Sequence, residues 1–187
     1  MASSAAPLPP VVFVHGLEGS HLKRQGGGGR VYLNLLRLVG GRLPGFRGID
    51  AMPLPCRYDG DLQATDGLVS DGPIEDVRLF GIRVGSLYGP ILDWLRQSGR
   101  RVYTFHYDWR RSQLEAGHAL EAFLEKVFVE TGSASQLIVH SNGGVVTFPV
   151  VNRRPELFHS VLWAASGCLG SVNFLKELSI PVHNSIA

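Results

Sequence analysis

The chain has 187 residues, 44% of them hydrophobic and 18% charged, and a formal net charge of +2. These values describe a folded globular chain long enough to bury a core, and they exclude disordered and collagen-like classes. A charge this small, with arginines spread along the sequence, gives no reason to expect nucleic acid or an acidic membrane surface as a partner.

Residues 1–10 (MASSAAPLPP) read as a flexible tail, and residues 11–187 as one domain. The tail has neither the basic start nor the apolar core of a secretory signal. No run of eighteen apolar residues follows it, so the expected compartment is intracellular, cytoplasmic by default, with peripheral membrane contact possible. Val11–Val14 (VVFV) is a continuous β-branched apolar run, expected for a strand buried on both faces of a parallel sheet. His15–Ser20 (HGLEGS) breaks it with two glycines. Arg24–Gly29 (RQGGGG) is a flexible loop, because it lacks the Lys-Ser/Thr pair of a phosphate loop.

From 31 to about 84 the sequence looks irregular: a short leucine-rich piece (Leu33, Leu35, Leu36, Leu38), then many Gly, Pro and Asp residues. Long structureless inserts in compact domains serve as lids or surface loops. Ser86–Ser98 is expected to be helical, with Leu87, Ile91, Leu92 and Leu95 on one face and Gly99 as its stop. Arg100–Arg110 (RRVYTFHYDWR) reads as the second strand. Ser112 and Glu115 form a capping-box pair, and the helix behind them is expected to bury Ala119, Leu120, Phe123, Leu124 and Val127. Gln136–His140 is a third strand, 144 to about 152 a helix that holds the unfavourable Pro149, and His159–Ser166 a fourth strand. Strands alternating with helices predict a mainly parallel α/β sheet with flanking helices.

Two cysteines, Cys56 and Cys168, build no disulfide framework and have no metal-ligand spacing; they are expected as buried free thiols. No metal or organic cofactor is implied.

The chemistry concentrates at Gln136–Val146 (QLIVHSNGGVV). An apolar strand runs into His140-Ser141-Asn142, and Gly143 and Gly144 open a helix. This is the layout of the nucleophile elbow of α/β-hydrolases, in which small neighbours let the backbone close beneath an exposed serine. Ser141 is the candidate nucleophile, with His140, Gly143 and Gly144 supporting the turn. The N–H of Asn142 is one candidate oxyanion donor. Val139 stands where the usual pattern has glycine, and its branched side chain is expected to crowd the turn. The second donor is expected from the loop after the first strand, at the N–H of Leu17, with Glu18 as the neighbouring candidate.

VVFVHGLEGSHL, DGLV (66–69), LYGPILDWLRQSGRRVYTFHYDWRRS, LIVHSNGG and SVLWAASGCLGS resemble, in order, blocks of the lecithin:cholesterol acyltransferase-like family. That family includes phospholipid:diacylglycerol acyltransferases and lysosomal phospholipase A2. The resemblance implies an α/β-hydrolase fold and an acyl-ester substrate, usually lipid. It further implies an acyl-serine intermediate passed to an alcohol or to water. It sets the 31–84 insert where the family keeps its lid and membrane-touching elements. Tyr107, Asp108, Trp109 and Arg110 (YDWR) match a family motif that reads as structural, with Asp108 and Arg110 paired and Trp109 packed under a loop.

A serine nucleophile needs a base held by a carboxylate, and in α/β-hydrolases both follow the serine in the chain. After Ser141 stand only Glu156 and Glu177 as acids and His159 and His183 as imidazoles. His159 opens a strand at the end away from the site, and His183 has no element to hold it. The sheet is therefore expected to lack its last strands. The chain reads either as the N-terminal part of a longer acyltransferase-like protein or as a shortened, weakly catalytic relative. A non-catalytic binding domain and a small-ester serine esterase are the alternatives.

Overall fold

The computed structural model describes residues 8–27, 29–32, 67–79 and 81–170. The leucine-rich piece at 33–38, Cys56, Glu177 and His183 lie outside the described residues.

The central feature is a four-stranded parallel sheet built from β1 (Val11–Val14), β7 (Val102–Phe105), β8 (Ser135–His140) and β9 (Phe158–Ala164). Its spatial order is β7-β1-β8-β9, and every neighbouring pair is parallel. All four strands thus end at one edge, where ligands of open α/β sheets bind. The chain steps outward from β1 to β7 and then returns past β1 to β8 and β9. The reversal puts the switch point between β1 and β8, and that is where the serine lies.

Among the described residues three helices cover the sheet: α1 (Gly89–Gln97), α2 (Gln113–Thr131) and α3 (Asn142–Arg153). Side chains of a strand alternate between faces, so β1 divides its residues between two cores. Val12 and Val14 join Leu137, Val139, Leu120, Leu124, Val146 and Val150 beneath α2 and α3. Val11 and Phe13 join Tyr88, Leu92 and Leu95 beneath α1. This double cover is why VVFV is apolar without alternation.

The helix boundaries have local causes. Ser112 caps α2 by accepting the Leu114 N–H at 3.2 Å. The reciprocal half of the expected capping box is absent, because Glu115 pairs instead with Arg111 at 2.7 Å. Gly132 ends α2 at φ 66, a left-handed position that favours glycine. Within α2, Ala116 and Gly117 are buried where Ala119 was expected; Ala119 is exposed and Phe123 half-buried. α1 starts three residues later than expected, so Leu87 precedes it and is exposed.

Where residues of 31–84 are described, at 31–32, 67–79 and 81–84, strands replace the expected irregular insert. β2 (Ser20–Arg24) and β3 (Arg30–Tyr32) pair antiparallel, and β4 (Leu68–Pro73) pairs with β2 on its other side. β5 (Asp76–Leu79) and β6 (Ile82–Ser86) form a separate hairpin. The second parallel strand covers 102–105 rather than 100–110, so YDWR lies in the turn beyond it. β9 ends at Ala164, two residues before the expected limit. Cys168 is free, as expected, but exposed rather than buried. None of the described helices is long and apolar enough to cross a membrane.

Candidate active site

Ser141 sits between β8 and α3 with φ 50 and ψ −121. A non-glycine residue at positive φ costs about 1–3 kcal/mol and persists only where its surroundings fix it. Here the fixing comes from both sides of the turn. Ser141 N–H donates to the Ala164 carbonyl of β9 at 3.0 Å, and the Ser141 carbonyl accepts Gly144 N–H at 3.0 Å and Gly167 N–H at 3.4 Å. Val139 does not displace the turn: its side chain is fully buried in the core under α2 and α3.

The two glycines after the serine are required by close approach. A Cβ on Gly143 would stand 2.5 Å from the His15 carbonyl oxygen and 2.8 Å from that of Val14. A Cβ on Gly144 would collide with the Ser166 side chain. Without side chains at these positions, the start of α3 rests directly on the ends of β1 and β9. The helix N-terminus carries partial positive charge next to Ser141. Among the described residues the N–H of Asn142 has no hydrogen-bond partner.

The loop after β1 faces this turn. A Cβ on Gly16 would be 2.9 Å from Ser141 Cβ and 3.0 Å from His140 Nδ1. Gly16 closes a tight turn by accepting Gly19 N–H at 3.1 Å, with Glu18 at φ 56. Among the described residues the N–H groups of Leu17 and Glu18 have no partner. The structure therefore brings the Leu17 loop and the Ser141–Asn142 turn together, with unpaired backbone donors on both.

Around them runs a buried polar network that the sequence did not reveal. His15 is fully buried, its Nδ1–H donating to the Gly16 carbonyl at 2.7 Å and its Nε2 accepting Tyr107 N–H at 3.2 Å. Burial lowers its pKa from 6.5 to about 4, against the opposing pull of the bond to the Gly16 carbonyl. The ring is neutral and fully used, stacked on Tyr107 at 4.3 Å. The Tyr107 hydroxyl donates to the His15 carbonyl at 3.2 Å and accepts from Asn142 Nδ2 at 3.1 Å, and burial raises its pKa. Asn142 and Gln113 exchange side-chain amide bonds at 3.2 and 3.3 Å. From α1's N-cap, the Tyr88 hydroxyl accepts Gly16 N–H at 3.1 Å and meets His140 Nδ1 at 3.0 Å.

The remaining YDWR residues pair with each other and with β3. Asp108 accepts from Arg110 Nε at 2.9 Å and from its terminal nitrogen at 2.6 Å, and both side chains are only 6% exposed. Trp109 meets Tyr32 edge-on at 5.2 Å, and among the described residues its buried Nε1 has no partner.

Among the described residues, no imidazole or carboxylate is hydrogen-bonded to Ser141 Oγ. His159 is exposed near the start of β9, and Glu156 pairs with Arg154 at 2.6 Å; both lie at the opposite end of the sheet. His106 bonds Ser70 at 2.9 Å, and His118 is exposed on α2. No group of His, Cys, Asp and Glu side chains that could hold a metal occurs among the described residues.

Fold and site together define a parallel α/β domain with a strained serine at its switch point. No protein-family model and no curated protein sequence matches the chain.

Proposed function

We propose that this chain carries the nucleophile and oxyanion half of a serine acyl-transfer site, in an α/β-hydrolase-type domain of the lecithin:cholesterol acyltransferase-like class. One observation carries the reading: Ser141 is held at φ 50 between strand and helix, with the Gly16 loop packed against its Cβ. In this reading Ser141 Oγ attacks the carbonyl carbon of a lipid ester. The carbonyl oxygen becomes an oxyanion, stabilised by the N–H groups of Leu17 and Asn142 and by the start of α3. Collapse expels the alcohol and leaves an acyl-serine, which an acceptor alcohol or water then cleaves. The base that takes the serine proton comes from outside the described residues, because each described imidazole is committed or remote.

The experiment is labelling with a fluorophosphonate, followed by assays of acyl transfer from phospholipid and from short soluble esters. The expected result is a phosphonyl adduct on Ser141 and phospholipid-dependent activity that is lost in Ser141→Ala. Turnover of short esters alone would replace the lipid substrate with a small one.

A second reading, a non-catalytic domain that keeps the elbow for packing, is favoured by the absence of a described partner on Ser141 Oγ. A folded protein that takes no label would establish it over the first.

A further inference from the structure

The loop that faces Ser141 is held at both ends by the segment leading into α1. Gly16 N–H donates to the Tyr88 hydroxyl at 3.1 Å, and the Gly19 carbonyl accepts Ile74 N–H at 2.8 Å. Ile74 and Tyr88 are themselves tied together, Tyr88 N–H donating to the Ile74 carbonyl at 3.2 Å. Tyr88 is 6% exposed and its ring is fixed edge-on by Phe13 at 4.9 Å and by His140 at 5.6 Å. Its hydroxyl therefore has one location, between the loop and the elbow.

With the His140 ring proton assigned to Nε2, the hydrogen bonds of that hydroxyl are complete. Gly16 N–H can only donate, so it occupies an oxygen lone pair. The hydroxyl proton is then free to go to His140 Nδ1, 3.0 Å away, which requires the ring proton on Nε2. Gly16 is thereby consumed on both sides, since its carbonyl already accepts His15 Nδ1–H and Gly19 N–H. The next amide in the loop, that of Leu17, has no partner among the described residues.

We propose that Tyr88 is a positioning residue for the acyl-transfer site: its hydroxyl binds the Gly16 amide to the His140 ring, and so sets Leu17 N–H as the loop's oxyanion donor. This rests on the serine acyl-transfer reading of Ser141. Tyr88 touches no reacting atom; it acts through the loop on which Gly16 and Leu17 lie. A misplaced donor loses the benefit of preorganisation, which depends on its distance to the oxyanion.

Tyr88→Phe keeps the ring and removes the link. In the full chain, the second-order rate of fluorophosphonate labelling at Ser141 is expected to fall by about tenfold to a hundredfold. The ring nitrogens of His140, read by 15N NMR, supply a signature that packing alone would not move. The wild type should carry its proton on Nε2 with Nδ1 accepting a hydrogen bond, and Tyr88→Phe should shift Nδ1 toward its unbonded position. In wild-type protein, the Gly16 amide should exchange with solvent more slowly than that of Leu17.

Labelling of Tyr88→Phe at the wild-type rate would overturn the proposal, as would a wild-type His140 proton on Nδ1 or a Gly16 amide as exposed as Leu17's. If wild-type Ser141 takes no label, the acyl-transfer reading falls and the proposal with it. If the wild type labels and Tyr88→Phe labels equally fast, the role of Tyr88 alone is refuted. Should Tyr88→Phe fail to fold, the two wild-type measurements decide.

Discussion

Gly143→Ala probes the contact on which the serine turn depends. The new Cβ would lie 2.5 Å from the His15 carbonyl oxygen, 2.8 Å from the Val14 carbonyl oxygen and 3.0 Å from Val14 Cγ1. Ordinary contact begins near about 3.5 Å, so the start of α3 must retreat by roughly 1 Å. The two nearest obstructing atoms are backbone carbonyl oxygens at and just past the end of a central strand and cannot rotate away, so the helix has to move. Overpacking of this kind costs about 1–3 kcal/mol, which in a chain of this size lowers Tm by roughly 2–12 °C. The functional penalty is larger, because Asn142 and the serine move with the helix start. A misplacement near 1 Å is enough for about a hundredfold loss in rate. Fluorophosphonate labelling read alongside thermal melting separates the two effects. Gly29→Ala is the control, since a Cβ there meets nothing within 4 Å, and its effect should stay within about 0.5 kcal/mol. A Gly143→Ala protein that melts and labels like the wild type would refute the close-approach reasoning.

Burial lowers the pKa of His15 from 6.5 to about 4, so the folded state favours the neutral ring. The stability this contributes is complete above the unfolded value and is lost as pH falls from 6.5 toward 4. Urea unfolding at pH 7 and pH 4 should show about 3 kcal/mol more loss in the wild type than in His15→Gln; equal losses would contradict the burial argument. Arg110→Ala leaves the Asp108 carboxylate buried beside a lost partner and should cost about 3–5 kcal/mol in the same assay, with Asp108→Ala/Arg110→Ala recovering part of it; additive losses would show the pair to be uncoupled. Pro149 lies inside α3 and removes one helix hydrogen bond, so Pro149→Ala should raise stability by up to about 3 kcal/mol in thermal or urea melts; an unchanged or lower midpoint would show that the helix has adapted to it.

The parallel sheet was legible because its strands are apolar on both faces and its helices carry regular apolar spacing. The antiparallel strands were not. β2 (SHLKR) buries Ser20, whose hydroxyl donates to the Tyr107 carbonyl at 2.8 Å, and buries His21 beside it. A polar residue buried on a distant partner gives no hydrophobic signal. β4 was hidden for a related reason: it pairs with a strand more than forty residues earlier, and its Asp71 holds Lys23 and Arg30 at 2.6 and 2.8 Å. The β5–β6 hairpin leaves Ile82 and Val84 exposed, so no alternation marks a buried face.

At the site, the sequence pointed to Ser141, Gly143 and Gly144 because small residues directly after an apolar strand imply a tight turn. The Leu17 loop was read from its glycines. Tyr88 and His15 were missed for a physical reason: they act by hydrogen bonds across 52 to 92 positions of sequence, and no local pattern encodes a hydroxyl that reaches back from the start of a helix. Val139 was expected to distort the elbow, yet its side chain enters the core and the serine keeps its strained conformation.

The most direct measurement is to mix the full chain with a phospholipid or an activated acyl ester, quench in acid, and map acyl adducts by mass spectrometry. An acyl group on Ser141, absent from Ser141→Ala, is the predicted result. A folded chain that carries no acyl group on Ser141 with any ester tested would contradict its role as an acyl-accepting nucleophile.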